Sequence, residues 1–503
     1  MHFKFILFCA LSAFLYGCTG RSVSSGKGES YYQNPVLGGD YPDPSVVRVG
    51  SDFYMTHSSF EYYPGLLIWH STDLIHWERV SHALTKYVGS VYAPDLIKHG
   101  DTWYIYFPAA GTNWVVSAPS PEGPWSEPVN LQVSRIDPGH LTDAEGKRYL
   151  YLSAGNIVPL SDDGLSTAGP VVKNYEGWQY PKEWLAECFC LESPKSTIRN
   201  GYYYLTVAAG GTAGPATSHM VVSARASSPY GPFENSPYNP IVHTENKSER
   251  WWSQGHGTLV DDVNGQWWIM YHGYEKGFHT LGRQTLLLPL EWTDDNWFRV
   301  PKGVNSADLL PLPAGQPFVG NTGLSDDFSD DKLGLQWQFF RLYEPERVSV
   351  GNGKLTLKAQ GASFAESSPL LVNAGDRRYE TEVEYWIDEG VTAGLTLFYD
   401  ELANTRIAVN KDQFVMFNQR SAKNRYPNNF GSHGFLRILN DDNEVSLYYS
   451  ADGKEWIRMD RAIDVSGYNH NVFFKFMSLR VGLYAFGEGN VVFDNFVYRK
   501  LKD

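Results

Sequence analysis

The chain has 503 residues and a formal net charge of −14, and this length predicts two or three domains. Such an acidic balance argues against a nucleic-acid-binding protein, because phosphate recognition needs clustered Lys and Arg. Aromatic residues make up 15% of the chain. Most of them must be structural, while a few exposed aromatic faces can stack on sugar rings.

The N-terminus predicts export. Residues 1–18 contain Lys4, an apolar run and a Leu-Tyr-Gly-Cys18 ending, and the apolar run is too short to remain in a bilayer as a helix. The ending resembles a bacterial lipoprotein signal, which implies a lipid on Cys18; simple secretion with cleavage elsewhere is the alternative. Residues 19–32 are expected to form a flexible tether. The protein would then be lipid-anchored to the bacterial outer membrane, at the periplasmic face or at the cell surface.

One sequence motif recurs five times. It consists of an acidic residue or His near Pro or Gly, a short strand-like run, a Gly turn and then aromatic residues. The copies begin 42 to 64 residues apart, at Asp43, Asp95, Asp137, Glu192 and His256. This period is too long for a helical solenoid and is typical of a propeller blade of about four strands. We therefore predict a five-bladed β-propeller over residues 33–318, with these five side chains around one central funnel.

The cysteines predict a fold that does not depend on disulfides. Cys9 lies in the signal and Cys18 is the predicted lipidation site, which leaves Cys188 and Cys190. Two positions apart on a strand, their side chains would point to opposite faces and would not readily bond to each other. We expect both to be small buried residues beside the Glu192 strand.

The C-terminal part has a different pattern. After a Pro-rich stretch between Pro301 and Pro317, apolar and polar residues alternate in short segments such as 380–385 and 393–399. This alternation predicts antiparallel strands of a β-sandwich over residues 319–503. Helical periodicity is absent from both parts, so the predicted fold is all-β.

Seven motifs occur in the order seen in glycoside hydrolase family 43, and the chain resembles its β-xylosidase and α-L-arabinofuranosidase members that carry a C-terminal concanavalin-like β-sandwich. The motifs are Tyr41-Pro-Asp-Pro-Ser, Ser58-Ser-Phe-Glu-Tyr-Tyr-Pro-Gly, Tyr92-Ala-Pro-Asp, Ile136-Asp-Pro-Gly, Leu191-Glu-Ser-Pro, Gly255-His-Gly and Leu281-Gly-Arg-Gln-Thr. The resemblance covers nearly everything from about residue 33 to the end.

The resemblance implies three catalytic carboxylates. Asp43 would be the general base, Glu192 the general acid, and Asp137 the residue that raises the pKa of the acid and orients it. Inverting hydrolysis needs one carboxylate to deprotonate water and one carboxylic acid to protonate the leaving oxygen. A third carboxylate nearby can keep the acid protonated by like-charge repulsion. Taken singly, an Asp beside Pro often only begins a turn.

The resemblance also implies substrate-binding and metal-binding positions. Tyr92 stands where the family commonly has Trp, which leaves the sugar preference open. His256 would lie at the propeller axis, in some family members beside a water-ligated calcium ion. The implied substrate-binding residues are Arg283, Phe60, Tyr92, Asp95 at the rim, His256, and Phe486 from a sandwich loop. Asp326, Asp327 and Asp494 are candidates for a structural calcium site in the sandwich.

These inferences predict an inverting, exo-acting glycoside hydrolase that needs no cofactor. It would release terminal β-D-xylose, α-L-arabinofuranose or both from plant cell-wall polysaccharide or oligosaccharide. Another specificity on the same fold, such as a galactosidase or endo-arabinanase, is one alternative, and a non-catalytic glycan-binding lipoprotein is another. A retaining invertase-like enzyme is disfavoured because its Trp-Met-Asn-Asp motif is missing. The oligomeric state is left open.

Overall fold

The computed structural model describes residues 31–502. Within this range the chain is almost entirely β-structure, with one four-residue α-helix, α1 (His470–Phe473). No helix in the described part is long and apolar enough to cross a membrane. The predicted signal, Cys18 and most of the predicted tether lie outside the described residues. Four short 3₁₀ helices occur at Ser153–Gly155, His279–Leu281, Pro345–Arg347 and Phe364–Glu366.

The first domain is a five-bladed propeller, which confirms the predicted fold of this part. Each blade is an antiparallel sheet of four main strands, and the fourth blade has a fifth. In chain order the strands are β1 (Tyr31–Gln33), β2 (Ser45–Val49), β3 (Asp52–Thr56), β4 (Tyr62–Tyr63), β5 (Gly65–Ser71), β6 (Glu78–Leu84), β7 (Asp95–His99), β8 (Thr102–Ala109), β9 (Thr112–Ala118), β10 (Val129–Asn130), β11 (Gly139–Thr142), β12 (Arg148–Leu152), β13 (Asn156–Pro159), β14 (Val172–Lys173), β15 (Glu192–Arg199), β16 (Tyr202–Ala209), β17 (Met220–Ala226), β18 (Glu234–Asn235), β19 (Val242–His243), β20 (Trp251–Asp261), β21 (Trp267–Glu275), β22 (Arg283–Trp292), β23 (Phe298–Arg299) and β24 (Leu309–Pro311).

The blades are β2-β3-β5-β6, β7-β8-β9-β10, β11-β12-β13-β14, β15-β16-β17-β18 with β19 beside β17, and β20-β21-β22-β23. Their first strands pack against one another in the cyclic order β2, β7, β11, β15, β20 and back to β2. These five strands therefore line the propeller axis. Residues just before or at the start of each one are brought together at one end of the axis.

The paired aromatic residues of the repeat fill the spaces between blades. Successive side chains of a strand face opposite sides of a sheet, so each pair serves two different interblade cores. Phe53 packs in the core between the first and last blades, while its neighbour Tyr54 packs against the next core and meets Trp103 edge-on at 4.9 Å. This arrangement explains why aromatic residues recur at the second strand of a blade.

The second domain is a sandwich of two antiparallel sheets, which confirms the predicted C-terminal fold. Its strands are β25 (Gln338–Phe340), β26 (Val348–Gly351), β27 (Lys354–Lys358), β28 (Leu370–Asn373), β29 (Arg378–Ile387), β30 (Val391–Phe398), β31 (Asn404–Val409), β32 (Gln413–Asn418), β33 (Ser421–Pro427), β34 (His433–Asp441), β35 (Glu444–Ser450), β36 (Ile457–Asp464), β37 (Arg480–Gly487) and β38 (Asn490–Lys500). The sheet orders are β33-β32-β31-β30-β37-β28-β25-β4 and β26-β27-β38-β29-β34-β35-β36. The predicted boundary near residue 319 falls between β24 and β25.

One strand of the first sandwich sheet comes from the propeller. In β4, Tyr62 pairs with Phe340 and Tyr63 pairs with Phe339 of β25. Phe60 and Tyr62 are buried in the hydrophobic core of the sandwich, and the Arg480 guanidinium lies 3.6 Å from the centre of the Tyr62 ring. The two domains therefore share both a hydrogen-bonded sheet and an apolar core.

Two sequence predictions are wrong in this part of the fold. Residues 31 and 32, assigned to the tether, belong to β1, which pairs with β24, and Tyr32 is buried with its hydroxyl donating to the Leu287 carbonyl. Cys188 and Cys190 form a disulfide, with Cα atoms 5.2 Å apart. The prediction failed because this segment is irregular rather than a strand, and Cys190 has a φ of 32°.

Candidate active site

Asp43, Asp137 and His256 occupy equivalent backbone positions at the entrances of the inner strands, and Glu192 lies one residue before the equivalent position of its blade. Asp43, Asp137 and His256 have left-handed φ angles of 59°, 56° and 55°, which non-glycine residues seldom adopt. Ser193, directly after Glu192, has a φ of 50°. Such conformations cost free energy and are concentrated at functional sites. The repeated backbone turn aims Asp43, Asp137, Glu192 and His256 at one another, as the sequence predicted for these four.

Asp43 is completely enclosed by cationic and hydrogen-bonding partners. Arg283 donates from both Nη atoms to the two carboxylate oxygens, at 3.0 and 3.4 Å. The Ser58 hydroxyl donates to Oδ2, and His256 Nδ1 lies 3.0 Å from Oδ1. Burial alone would raise the pKa of Asp43, but the charge of Arg283, followed by that of His256, holds it well below its usual value. Asp43 is therefore an ionised carboxylate throughout the range in which enzymes work.

His256 links this carboxylate to the other two. Its Nε2 lies 3.4 Å from Glu192 Oε1 and 3.8 Å from Asp137 Oδ2. Burial would lower the pKa of His256, but Asp43, Glu192 and Asp137 together raise it above its ordinary value. The His256 ring thus has the base on its Nδ1 side and the acid pair on its Nε2 side.

His272 has the opposite electrostatics. Burial, followed by the charge of Arg283, lowers the pKa of His272 to about 3, so this imidazole is neutral. Its Nδ1 accepts the backbone N–H of Asp43 at 3.1 Å. On its other edge, Nε2 lies 3.4 Å from the Thr212 hydroxyl. His272 therefore fixes the backbone of the base without adding a charge.

Asp137 and Glu192 form the second half of the site. Asp137 is buried and accepts the Ser193 N–H at 3.1 Å, whereas the Glu192 side chain is 18% exposed. Burial first, opposed by His256 and reinforced by the charges of Glu192 and Asp43, raises the pKa of Asp137 to about 7. Repulsion between two carboxylates acts on both, so the proton belongs to the pair. The pair can supply it through Glu192, the more accessible member.

Asp95 does not lie at the rim, contrary to the sequence prediction. Its carboxylate is buried and accepts from Lys195 Nζ at 2.9 Å, from the Ser45 hydroxyl at 3.2 Å and from the His140 N–H at 2.6 Å. When the blades are aligned on the proline at the entrance of the inner strand, Pro44 in the first blade and Pro94 in the second, the counterpart of Asp43 is Ala93. Asp95 matches Ser45 and is two residues deeper along the axis.

Aromatic side chains wall the space beside Arg283. Its guanidinium carbon lies 5.8 Å from the centre of the buried Phe60 ring. Tyr92 is 36% exposed and meets Phe60 edge-on at 5.9 Å. Phe60 thus lies beside the arginine that binds the base, and Tyr92 lies next to Phe60.

The aromatic side chain that the sandwich contributes is Phe476, not Phe486. The Phe476 ring lies 5.1 Å from the guanidinium carbon of Arg283 and stacks on His470 at 3.8 Å. Phe486 instead lies on β37, stacks on Tyr484 and packs against the sandwich core. The prediction failed because Phe486 continues the alternation of a core strand, whereas Phe476 follows α1 in an irregular loop.

The described side chains do not form a direct calcium site at either predicted position. Asp326 accepts from Trp337 and Gln336, and Asp494 pairs with Lys354. These carboxylates are therefore committed to structural contacts. Among the described residues, the groups whose ligand atoms could hold a metal are Asp43-His256-His272 and Glu192-His219-His256. Each is mostly imidazole, while calcium takes oxygen ligands, and the carboxylate of the first group is already paired with Arg283.

Sequence reasoning missed three residues that contact the base or its arginine: Ser58, His272 and Asp40. Ser58 lies two residues before Phe60 in a motif that was recognised. His272 pairs with Gly255 across the hairpin of the fifth blade, so strand pairing next to His256 could have revealed it. Asp40 directly precedes the first recognised motif, and it is buried and accepts the Arg283 N–H at 3.1 Å.

An ionised carboxylate and a proton-bearing carboxyl pair face each other across the His256 ring, with aromatic side chains nearby. This is the acid–base equipment of a glycoside hydrolase. Residues 32–298 match Glycosyl hydrolases family 43, and residues 325–499 match the Beta xylosidase C-terminal Concanavalin A-like domain. The chain belongs to glycoside hydrolase family 43.

Characterised relatives share most of the chain. A xylan 1,3-beta-xylosidase of a Vibrio species is 34% identical over 86% of this chain and 91% of its own length. The non-reducing end alpha-L-arabinofuranosidase BoGH43B of Bacteroides ovatus is 33% identical over 72% of each chain. The crystal structure of BlXynB from Bacillus licheniformis superposes with a TM-score of 0.86, at 28% identity, over 94% of this chain and 100% of its own.

Proposed function

We propose that the protein is an inverting, exo-acting glycosidase that releases terminal β-D-xylose, α-L-arabinofuranose or both from plant cell-wall polysaccharide or oligosaccharide. The observation that carries the proposal is the placement of Asp43 and the Asp137–Glu192 pair on opposite nitrogens of His256. The relatives named above include a β-xylosidase and an arabinofuranosidase, which supports a pentose at the terminal position.

In the proposed reaction, Asp43 takes a proton from a water molecule as the water attacks the anomeric carbon. Glu192 gives a proton to the glycosidic oxygen as the bond to the leaving sugar breaks, and displacement from the opposite face inverts the anomeric centre. Arg283 keeps the base ionised before the attack. Asp137 holds the acid pair protonated and orients it through the Ser193 N–H.

A pocket closed on one side suits removal of a terminal sugar. Phe60 and Tyr92 form one wall, and Phe476 from the sandwich approaches Arg283 from another direction. A chain passing through the site in both directions would have to displace Phe476. This geometry favours exo-action over the internal cleavage of an endo-arabinanase.

The test is a panel of aryl β-D-xylosides, α-L-arabinofuranosides, galactosides and glucosides, with the anomer of the first product followed by NMR. We expect turnover of at least one pentoside with inversion. Glu192→Ala should lose most turnover of substrates with poor leaving groups, while Glu145→Ala, at an exposed hairpin position outside the site, should not. Product retention, hexosides as the preferred substrates or no turnover of any panel member would refute the proposal.

We also propose that the protein is exported and anchored through a lipid on Cys18, on the strength of the Leu-Tyr-Gly-Cys18 ending. Metabolic labelling with a radioactive fatty acid should mark the wild type and not Cys18→Ser. A wild-type protein that is secreted without label would refute the anchor.

A further inference from the structure

An aromatic segment, defined as residues 178–190, leads directly into the strand that begins with Glu192. Its side chains include Trp178, Tyr180, Trp184 and Phe189. The Phe189 side chain is 36% exposed, and its ring stacks on Tyr180 with centroids 6.0 Å apart and planes at 27°. A partly exposed, flat pair of rings is the kind of surface on which a sugar ring stacks.

The disulfide fixes this pair in place. Cys188 and Cys190 bracket Phe189 and close a small covalent ring around it. The Tyr180 hydroxyl donates to the Cys188 carbonyl at 2.9 Å, so both stacked rings are tied to the same short loop. The loop is also anchored to the neighbouring hairpin, because the Gly210 N–H donates to the Phe189 carbonyl at 3.1 Å.

The same loop lies beside the catalytic groups. A Cβ atom on Gly211 would come within 2.9 Å of Cys188 Sγ, so the disulfide packs directly against the backbone there. The next residue, Thr212, contacts His272, which in turn holds Asp43. Along the chain, Cys190 is two residues from Glu192. The disulfide loop therefore lies directly before the strand that carries Glu192 and is linked through Thr212 and His272 to Asp43.

In glycoside hydrolysis the general acid protonates the oxygen of the leaving group, so the leaving sugar must lie on the side of Glu192. We propose that Phe189 and Tyr180, held by the Cys188–Cys190 disulfide, form the platform that binds the leaving-group sugar. This inference rests on the proposed function. In this assignment the disulfide loop binds the leaving-group sugar, whereas Phe60, Tyr92 and Phe476 enclose the terminal sugar whose anomeric carbon is attacked.

The first experiment compares two substrates that differ only in the leaving group. One is the disaccharide of the preferred pentose. The other is the methyl glycoside of the same pentose, whose leaving group, methanol, has no sugar ring to stack on an aromatic side chain. Phe189→Ala should reduce kcat/KM on the disaccharide about tenfold, as expected for loss of one stacking contact, mainly through KM. The methyl glycoside should be hydrolysed as by the wild type. Phe189→Tyr, which keeps the flat ring, should restore the disaccharide value.

The matched control is Tyr230→Ala, which removes an exposed aromatic residue of the same blade, 44% exposed, that is not part of the segment. It should leave both substrates unaffected. An equal loss on both substrates for Phe189→Ala, or no loss on either, would overturn the inference while leaving the proposed function intact. Failure of the wild type on every pentoside would instead overturn the proposed function.

The second experiment tests the disulfide. Trypsin releases residues 183–195 as one peptide that contains both cysteines and no other. Without reductant this peptide should take up no iodoacetamide. A phosphine reduces the S–S bond to two thiols and is itself oxidised to a phosphine oxide. After this treatment the peptide should take up two iodoacetamide labels. The Cys188→Ser/Cys190→Ser variant should show the same selective loss on the disaccharide as Phe189→Ala. Labelling without reductant, or unchanged kinetics in the double variant, would overturn the role given to the disulfide.

Discussion

The Asp137→Asn substitution is the sharpest test of how the site keeps its acid protonated. In the wild type the pKa of Asp137 is raised to about 7 by burial and by the neighbouring carboxylates, so the pair holds its proton through mildly acidic pH. Activity that needs this proton should be constant there and fall as pH rises above about 7. The variant replaces the carboxyl that holds this proton with an amide, which has no acidic proton.

The size of the effect follows from proton occupancy. At pH 6.5 a carboxyl with a pKa of about 7 is mostly protonated, whereas the amide in the variant has no acidic proton to share with Glu192. We therefore expect kcat/KM of Asp137→Asn on an unactivated disaccharide to fall roughly 100-fold at pH 6.5. The alkaline limb of the pH profile should move to lower pH. A dinitrophenyl glycoside, whose leaving group needs no proton, should lose little.

The assay is kcat/KM between pH 4.5 and 8.5 on both substrates, with Asp101→Asn, at an exposed hairpin position, as the control. Asp101→Asn should reproduce the wild-type profile. An alkaline limb that stays near pH 7 in Asp137→Asn, or equal losses on activated and unactivated substrates, would refute the reasoning, because the carboxylate would then act through structure alone.

Three further predictions concern the surroundings of the site. Arg283→Lys replaces a bidentate contact with a single charge, so the pKa of Asp43 should rise. The acidic limb of the kcat/KM profile should then move to higher pH, and activity should fall roughly 100-fold. An acidic limb that does not move would count against the role of Arg283 in keeping Asp43 ionised. The pKa of Asp40 is raised to about 6 by burial, opposed by Arg283 and Arg480, so its contribution to stability is complete below pH ~4 and is lost as pH rises through 6. Relative to Asp40→Asn, the free energy of unfolding of the wild type should therefore drop by about 1.4 kcal/mol between pH 5 and 7.5 in urea titrations. A difference between the two proteins that does not change with pH would contradict this prediction. A chain ending at residue 318 should aggregate and lack activity, because Phe60 and Tyr62 would lose their core; a soluble, active propeller in sedimentation and turnover assays would disprove this dependence.

Much of the fold and of the catalytic centre could be predicted because each copy of the repeated motif marks the start of the inner strand of one blade. A left-handed residue followed by Pro or Gly starts the inner strand of several blades, so residues far apart in sequence meet on one axis. Asp95 shows the limit of spacing alone. Its motif resembles that of Asp43, but its carboxylate follows the proline instead of preceding it, and this shift of two positions changes a site residue into a buried partner of Lys195.

The remaining errors concern contacts between segments that sequence patterns do not connect. The loop carrying Phe476 is placed by tertiary contacts such as the ion pair of Lys475 with Asp400 at 2.9 Å and the hydrogen bond from the Leu479 N–H to the Thr280 carbonyl. No local signal distinguishes Phe476 from the many core phenylalanines. The disulfide was missed for a related reason, because strand alternation was assumed for a segment whose backbone is irregular.

The pairing of β4 with β25 has a consequence for how such an enzyme can change. Because Phe60 touches the sugar pocket on one side and the sandwich core on the other, substitutions at distant core positions such as Phe340 or Leu371 can shift a wall of the pocket without altering any group that takes part in the reaction. Exchange of the whole accessory domain between relatives would disturb the pocket in the same way. In this protein, selection for a new sugar can therefore act on a domain that carries none of the catalytic carboxylates.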